Sequence, residues 1–264
     1  MNVVFLGATR GMGRALARAM AERGDSLFVL GRNPADLERT ASDLTARSGR
    51  TTAGFAECDL MRPESFAPAL DAAERAFGGR FDCVVVTAGL FATQDELEGD
   101  ADLARRVLTT DFTNTVLFCE HARKRLLGSG GGKLCVFSSV AGERGRKPVI
   151  LYGASKAGLS RYLEGIDHKF RAEGLEVITV KPGFVRTSMT QNLKAPPFAG
   201  EPESVARRVL RPLDSGRAGG DAPLAWAPLN GRLPPRPRVG LRLLPRSLHR
   251  PLNAPVQLCA GCLG

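Results

Sequence analysis

Long apolar runs, histidines and aromatic residues are scarce in this sequence. Among its 264 residues there are three His, one Trp and two Tyr. No apolar run approaches the roughly 18 residues that a membrane-spanning helix needs, so a transmembrane protein is not predicted. The N-terminus lacks the basic segment and the small-residue cleavage site of a secretory signal peptide, so none is predicted there.

The cysteines are few, and they form no recognisable ligand set. Their scatter through apolar runs predicts reduced, buried thiols and a cytoplasmic protein. Cys259 and Cys262 have the spacing of half a zinc site or of a redox pair, but no second Cys or His pair lies near them. We interpret them as part of a terminal segment and predict no metal site. The other cysteines and the histidines are Cys58, Cys83, Cys119, Cys135, His121, His168 and His249.

The composition is that of a globular protein with a basic C-terminal quarter. With 43% hydrophobic and 24% charged residues the chain can bury a large core, which excludes disordered, collagen-like and small disulfide-stabilised classes. The net charge is +10, and residues 201–264 hold ten Arg, no Lys and four acidic residues. More than half of the excess charge lies in that quarter, so a nucleic-acid groove across the whole fold is not expected.

Six short apolar runs alternate with helical stretches. The runs cover residues 3–6, 27–30, 53–57, 84–87, 134–138 and 177–181. Several are apolar at every position, as in strands buried on both faces of a parallel sheet. Asn33 and Pro34 mark a helix start, with Asp36 in the place of a reciprocal capping box. The pattern predicts an α/β fold of the Rossmann type, a doubly wound parallel sheet in a single domain.

The connection after the first strand is a glycine-rich turn that opens a helix. Glycines there allow a tight turn and a close approach of the backbone to a pyrophosphate at the helix N-terminus. We predict a dinucleotide site, against the alternative that the three glycines serve the turn alone. The predicted contacts are Gly7, Thr9, Arg10, Gly11, Met12 and Gly13.

The end of the second strand bears on which dinucleotide is bound. NAD-binding proteins place an Asp or Glu there to hold the ribose 2′-hydroxyl. This chain has no acid at the strand end but has Arg32, which together with Arg10 could pair with a 2′-phosphate. The sequence favours NADP(H) over NAD(H); the alternative is that both arginines are merely solvated.

Tyr152 and Lys156 share one face of a predicted helix because they lie four residues apart. An ammonium near a phenol stabilises the phenolate and lowers the phenol pKa, which makes the phenol usable as a general acid or base. Ser139, at the end of the preceding strand, offers a hydroxyl that could polarise a carbonyl. The serine makes this Tyr-x3-Lys spacing specific.

On these motifs the chain resembles the short-chain dehydrogenase/reductase family, from Met1 to about Arg211. The family's catalytic Ser lies thirteen residues before its Tyr, which is the spacing of Ser139 and Tyr152. The resemblance implies that Tyr152 transfers the proton, that Ser139 holds the substrate carbonyl, and that Lys156 holds the nicotinamide ribose. It implies further cofactor contacts at Asp59, Leu60, Ala88, Gly89, Pro182, Gly183, Val185 and Thr187.

The chain departs from the family pattern in two motifs. The fourth strand usually ends in Asn-Asn-Ala-Gly, whereas this chain has Val86 and Thr87 before the Ala-Gly pair. The Asn that completes the family's catalytic tetrad aligns with Asp111. A carboxylate near Lys156 would raise the Lys pKa and partly cancel the help that the ammonium gives to Tyr152. Asp111 is therefore expected to retune the catalytic group, or alternatively to act as a base itself.

A narrower resemblance lies in residues 138–146, 181–189, 224–228 and 244–247, which are similar to a bacterial branch of the family that includes decaprenylphosphoryl-2-keto-pentose reductase. This resemblance implies a lipid-linked or sugar ketone as substrate. We divide the chain into a dinucleotide-binding domain (residues 1–215, with a substrate lid at 186–212) and an extension (residues 216–264). The extension could contact an anionic membrane surface, or pack over the lid or a neighbouring subunit. Its basic and apolar stripes are Arg238, Arg242, Arg246, Arg250, Leu241, Leu244 and Leu248.

The sequence thus predicts an NADP(H)-dependent carbonyl reductase or alcohol dehydrogenase that acts on a small molecule. We expect a homodimer or homotetramer in the cytoplasm, with peripheral contact to the inner membrane surface as an option. An alternative is a cofactor-binding regulatory or scaffold protein weakened by Asp111, which the intact Ser139, Tyr152 and Lys156 disfavour. Nucleic-acid binding is suggested by charge alone, and the basic tail lacks the interleaved aromatic residues of stacking platforms.

Overall fold

In the part of the chain that the structure describes, a parallel sheet of seven strands forms the centre of the fold. The computed structural model describes residues 1–49, 53–215 and 222–223. The strands are β1 (Asn2–Leu6), β2 (Ser26–Gly31), β3 (Gly54–Glu57), β4 (Cys83–Val86), β5 (Gly132–Phe137), β6 (Leu175–Lys181) and β7 (Ala222–Pro223). They lie in the order β3-β2-β1-β4-β5-β6-β7, and all neighbours are parallel. The doubly wound α/β fold is confirmed.

The six predicted runs all become strands, with bounds that shift by at most two residues. The seventh strand was not predicted. It pairs two residues with Val180 and Lys181 at the sheet edge. Two residues inside a Gly- and Pro-rich stretch are too short to produce a periodic pattern, so no sequence signal marks this strand.

Helices cover both faces of the sheet. They are α1 (Gly11–Glu22), α2 (Pro34–Ser48), α3 (Phe66–Ala76), α4 (Gln94–Gly99), α5 (Ala101–Leu108), α6 (Asn114–Gly128), α7 (Ile150–Phe170) and α8 (Pro202–Ser215). Helices α1, α2 and α8 pack on the face to which Val3 and Phe5 of β1 point. Helices α3, α6 and α7 pack on the other face, with Val4 and Leu6. Full burial of each such apolar side chain contributes about 1.5–3 kcal/mol to folding, which explains why the strand positions that face the helices on both sides are mostly apolar.

Helix α2 begins where the sequence predicts, but the reciprocal capping box is only half formed. The Asn33 side chain accepts a hydrogen bond of 3.1 Å from the Asp36 backbone N–H, which satisfies one free amide of the first turn. The Asp36 carboxylate does not return to Asn33. It is paired with Arg10 and Arg39, because two guanidinium groups attract it more strongly than one backbone N–H.

The order of the strands reverses between β1 and β4, which are neighbours in the sheet. Successive connections therefore leave this point on opposite faces, and a crevice opens at the carboxyl ends of the two strands. The glycine turn after β1 and the Ala88-Gly89 pair after β4 both lie at this edge. In sheets of this kind the crevice is where ligands bind.

The predicted lid at residues 186–212 consists of two different parts. Residues 186–200 form turns and a loop, whereas the segment from Pro202 onward is helix α8. The apolar side of α8, with Val205, Val209 and Leu213, is buried in the core beside α1. The lid itself stays a prediction; its second part is a helix that three buried side chains anchor in the core.

The basic and apolar stripes of the extension, and the pair Cys259 and Cys262, lie outside the described residues. Within the described residues, Cys58, Cys83, Cys119 and Cys135 are buried and unpaired, as the sequence predicted. Burial raises the pKa of both the Cys58 and the Cys83 thiol to about 12. No helix in this part of the chain is long and apolar enough to span a membrane.

Candidate active site

The glycine turn has a shape that side chains would not permit. Gly7 and Gly11 have φ angles of +100° and +51°, which favour glycine. A Cβ at Gly13 would lie 2.1 Å from the Gly7 carbonyl oxygen, so the first turn of α1 packs directly against the loop. The N–H groups at the start of α1 are therefore approachable by an anion. The turn fits the pyrophosphate of a dinucleotide.

Thr87 supports this turn from the end of β4. Its hydroxyl lies 3.0 Å from the Gly7 carbonyl oxygen, to which it donates a hydrogen bond, and 3.4 Å from that of Leu6. In the sequence analysis, Thr87 is only a position at which this chain lacks the Asn side chain of the family pattern. The structure shows that the shorter side chain still joins β4 to the loop after β1, which no spacing rule indicates.

The two arginines predicted at the 2′-phosphate differ in their surroundings. Arg32 is exposed and has no ion pair within the described ranges. Arg10, the residue before α1, lies with its Nη2 atom 3.3 Å from Oδ2 of Asp36. Arg10 and Asp36 line a cleft of about 630 Å³ together with Thr9 and Gly11. Of these two arginines, Arg10 thus has an acidic partner, whereas Arg32 has none among the residues that the structure describes.

Asp59 and Leu60 follow β3 and form a tight turn. The Asp59 carboxylate accepts a hydrogen bond of 2.9 Å from the Met61 N–H. Leu60 is buried, and its carbonyl accepts a hydrogen bond of 2.5 Å from the amide of Asn114, a buried residue at the start of α6. Asn114 was missed by the sequence analysis, because no motif connects a helix start to a turn 54 residues earlier.

Ser139, Tyr152 and Lys156 come together where β5 and α7 meet. Ser139 follows β5 and accepts a hydrogen bond of 3.1 Å from the Ala141 N–H. A Cβ at Gly153 would lie 2.8 Å from the Ala141 carbonyl oxygen, so α7 packs tightly against this turn. As a result Ser139 lies near enough to Tyr152 for its hydroxyl to lower the pKa of the phenol. The Lys156 Nζ lies 5.6 Å from the centroid of the Tyr152 ring, on the same face of α7.

Asp111 lies beside Lys156, as the alignment of the motif predicted. It sits in a π-helical turn, Thr109–Thr113, between α5 and α6. Such turns often occur at functional sites. Its Oδ1 accepts a hydrogen bond of 2.7 Å from the Leu90 N–H, and its Oδ2 lies 3.5 Å from the Lys156 Nζ. Both side chains are buried, and Oδ2 has no hydrogen bond within the described part of the chain.

These charges act on one another's proton affinities. Burial raises the pKa of Asp111 more than Lys156 and the Leu90 N–H lower it. Burial works to lower the pKa of Lys156, but Asp111 and Tyr152 outweigh it, so the Lys156 pKa is raised. The carboxylate thus holds the ammonium in its charged form.

Tyr152 differs from the sequence expectation. Burial raises the pKa of the phenol, and this effect exceeds the lowering by the nearby ammonium; Asp111 raises it further, and Ser139 lowers it. The expectation of a net lowering was wrong, because spacing reveals the neighbour but not the loss of solvent around the ring. Phe91 contributes to that apolar environment, with its ring edge-to-face to Tyr152 at 5.0 Å between centroids.

Two further serines fix the backbone of Lys156. The Ser138 hydroxyl donates to the Lys156 carbonyl oxygen at 3.0 Å, and the Ser160 hydroxyl donates to the same oxygen at 2.8 Å. Ser138 directly precedes Ser139 and is the first residue after β5. Its direction into α7 follows from the alternation of side chains at the end of a strand.

The loop after β6 closes the site from the far side. The Pro182 carbonyl accepts a hydrogen bond of 3.1 Å from the Val140 N–H, which ties Pro182 and Gly183 to the turn after β5. Val185 is buried, and its carbonyl accepts a hydrogen bond of 2.6 Å from the Thr190 hydroxyl. The loop surrounds a second cleft of about 470 Å³. Its lining includes Phe184, Arg186, Thr187, Ser188, Gln191 and Leu193.

A cofactor and a substrate carbonyl can be placed with the residues that this edge brings together. The Ala88 backbone packs against the glycine turn, since a Cβ at Gly7 would lie 2.5 Å from the Ala88 N, and a Cβ at Gly89 would lie 3.1 Å from Oδ1 of Asp111. In the described part of the chain no group of three or more His, Cys, Asp or Glu residues could hold a metal ion. The same edge of the sheet thus carries the glycine turn after β1 and, at the start of α7, an ionisable phenol, Tyr152.

Known proteins share this architecture. The family model of the short chain dehydrogenases matches residues 1–197. An uncharacterized oxidoreductase of Mycobacterium tuberculosis is 32% identical over 248 residues, which cover 94% of this chain and 95% of that protein. Carbonyl reductase family member 4 of Danio rerio is 30% identical over 230 residues, 81% of this chain and 91% of that one.

Solved structures agree on the fold. A short-chain dehydrogenase from Sphingobium yanoikuyae, solved in complex with NADPH, superposes with a TM-score of 0.75 at 24% identity, over 84% of this chain and 88% of that one. At this identity the likeness concerns the fold alone. Together with the family model, it leads to one conclusion. The chain belongs to the short-chain dehydrogenase family and is an oxidoreductase of alcohol and carbonyl groups that uses a nicotinamide cofactor.

Proposed function

We propose that the protein is an NADP(H)-dependent carbonyl reductase in which Tyr152 supplies the proton. The observation that carries the proposal is that Ser139 and Lys156 both lie near Tyr152, with the Lys156 Nζ 5.6 Å from the centroid of the Tyr152 ring and Ser139 near enough to lower the pKa of the phenol. The name of the Danio rerio relative, a carbonyl reductase, and the NADPH in the Sphingobium yanoikuyae structure support it.

The cofactor would lie along the crevice between β1 and β4. The glycine turn would hold the pyrophosphate, Arg32 and Arg10 the 2′-phosphate, and Asp59 and Leu60 the adenine. Lys156 would hold the nicotinamide ribose. Val185 and Thr187, with Pro182 and Gly183 shaping their turn, would hold the carboxamide. When bound, the nicotinamide supplies the hydride for the carbonyl carbon.

The protein's own residues handle the carbonyl oxygen. Ser139 donates a hydrogen bond that polarises the carbonyl, and Tyr152 donates its proton to the oxygen as the alcohol forms. The phenolate left behind is stabilised by the Lys156 ammonium. Because Asp111 raises the Lys156 pKa, that ammonium stays charged throughout, but the same carboxylate opposes the phenolate.

Asp111 therefore retunes the site. It makes the phenol a weaker acid and shifts the pH range of catalysis to the alkaline side. If the repulsion between the Asp111 carboxylate and the Tyr152 phenolate were too strong for proton transfer, the alternative of a regulatory protein without turnover would follow.

The substrate cleft combines polar and apolar groups. Gln191 and Ser188 offer hydrogen bonds, whereas Phe184 and Leu193 offer apolar contact. Such a lining suits a sugar ketone with a lipid handle, in keeping with the resemblance to the lipid-linked keto-pentose reductases. We propose that class as the first substrate to test, with a homodimer or homotetramer as the active form.

The direct test is a panel of ketones with the purified protein and NADPH. The panel holds sugar 2-uloses, lipid-phosphate-linked keto-pentoses and simple aryl ketones, and NADPH oxidation is followed by absorbance. Turnover of at least one ketone that disappears in Ser139→Ala supports the proposal. Tight NADPH binding without turnover of any ketone would favour the regulatory alternative.

Contact of the extension with a membrane is a separate proposal. Each basic residue at an anionic surface contributes roughly 1 kcal/mol before screening. Co-sedimentation with liposomes at low salt should therefore increase with anionic lipid content. Absence of binding, or binding that does not depend on the anionic lipid content, would contradict the membrane proposal and favour packing of the leucines within the protein.

A further inference from the structure

Asp36 occupies an unusual place for an acid near a dinucleotide site. It is not at the end of β2, where an acid would select NAD, but five residues later in the first turn of α2. Its Oδ2 lies 3.3 Å from Nη2 of Arg10, and its Oδ1 is paired with Arg39. The carboxylate therefore binds one of the two arginines that the proposed function assigns to the 2′-phosphate.

The position of this carboxylate is fixed by its helix. The Asp36 N–H is held by the Asn33 side chain, and the Asp36 carbonyl accepts a hydrogen bond of 2.7 Å from the Thr40 hydroxyl. The side chain is only 22% exposed, whereas those of Arg10 and Arg39 are 72% exposed. Asp36 is therefore the partner that is held in place, and the exposed side chains of Arg10 and Arg39 extend to it.

We propose that Asp36 is a specificity-determining residue that competes with the 2′-phosphate of NADPH for Arg10 and thereby keeps NADH usable. The inference rests on the proposed function. When NADH is bound, Arg10 retains Asp36 as its counter-charge, so nothing is left unpaired. When NADPH is bound, Arg10 is shared between two anions, and the carboxylate and the phosphate repel each other.

The same helix offers a matched control. Asp43 lies seven residues further on the same face of α2 and lines the same cleft. It also binds two arginines, with Oδ2 2.7 Å from Nε of Arg18 and Oδ1 3.2 Å from Nε of Arg47. Neither of these arginines belongs to the glycine turn. Asp43→Asn therefore removes an equivalent charge and an equivalent pair of contacts away from Arg10.

The experiment measures the dissociation constants of NADPH and NADH by calorimetry for the wild type, Asp36→Asn and Asp43→Asn. We expect Asp36→Asn to bind NADPH about three- to tenfold more tightly, since an exposed ion pair and one like-charge contact are removed. NADH affinity should not change, because Arg10 keeps the same partners in the free and the bound state. The gain should shrink as salt is added. Asp43→Asn should change neither constant.

Two results would overturn the inference. Unchanged or weaker NADPH binding by Asp36→Asn would show that the carboxylate does not compete, or that it orients Arg10 for the phosphate. An equal gain in Asp43→Asn would show a general charge effect of the cleft. A wild type that binds neither nucleotide would instead refute the proposed function, so the two failures are distinguishable.

Discussion

Replacing Asp111 by Asn removes a buried negative charge beside Lys156 and keeps the size of the side chain. The carboxylate raises the pKa of both Lys156 and Tyr152. In Asp111→Asn the ammonium is no longer opposed, and the phenolate form of Tyr152 becomes easier to reach. The pKa of Tyr152 should therefore fall towards neutrality.

The size of the change follows from the distances. The Lys156 Nζ lies 5.6 Å from the Tyr152 ring centroid and 3.5 Å from Oδ2 of Asp111. The carboxylate oxygen is thus at most about 9 Å from the ring centroid. At an effective dielectric constant of about 20, a unit charge at that distance is worth about 2 kcal/mol. This corresponds to roughly one pH unit.

The assay is the pH dependence of kcat for alcohol oxidation, with saturating NADP. Oxidation needs the phenolate, so the rate rises with pH through the Tyr152 pKa. In Asp111→Asn this rise should move to lower pH by about one unit, which raises the rate at neutral pH up to about tenfold. A thermal melt of both proteins controls for loss of structure, because Lys156 loses its buried partner.

Two outcomes would refute this reasoning. A slower Asn variant with an unmoved profile would show that Asp111 itself acts as a base in the proton relay. An unmoved profile at unchanged rate would show that Asp111 is protonated in the working enzyme and exerts no charge on Tyr152.

The other predictions concern the cofactor. Arg32→Asp should reduce the preference for NADPH over NADH about ten- to a hundredfold, since a charged hydrogen bond is worth about 1.5–3 kcal/mol. The measurement is the ratio of the KM values for the two nucleotides, with Arg75→Asp, at another exposed arginine, as the control. A ratio that stays unchanged in Arg32→Asp, as in the control, would contradict the prediction. Gly13→Ala should destabilise the protein by about 1–3 kcal/mol and weaken NADPH binding, because the new Cβ meets the Gly7 carbonyl. Gly99→Ala is the control, because a Cβ at Gly99 would have no atom within 4 Å, and its thermal unfolding and NADPH titration should stay close to those of the wild type. If Gly13→Ala and Gly99→Ala behaved equally, the close-packing argument would be refuted.

The sequence was sufficient for the elements that repeat a simple period. Apolar runs such as Val3–Leu6 and the helix start at Asn33 were predictable because burial and capping act on neighbouring residues. The proximity of Ser139, Tyr152 and Lys156 was predictable for a related reason: Ser139 follows a strand end, and Tyr152 and Lys156 share one face of a helix.

What the sequence did not reveal depends on contacts between distant segments. Asn114 reaches Leu60 across 54 residues, and Thr87 reaches the glycine turn across 80. The raised pKa of Tyr152 depends on how completely its ring loses solvent, which is a property of packing. The Asp36 carboxylate does not form the expected reciprocal contact with Asn33, because two arginines that are distant or separate in the sequence pattern pair with it in the folded protein.

The central claim is that Tyr152 donates the proton, and Tyr152→Phe tests it most directly. The variant lacks only the phenolic hydroxyl, so its dissociation constant for NADPH should stay close to that of the wild type. Its single-turnover rate of ketone reduction at saturating NADPH should fall by about 10²–10⁴-fold, the usual contribution of a general acid. A Phe variant that binds NADPH and reduces the ketone at nearly the wild-type rate would contradict the account.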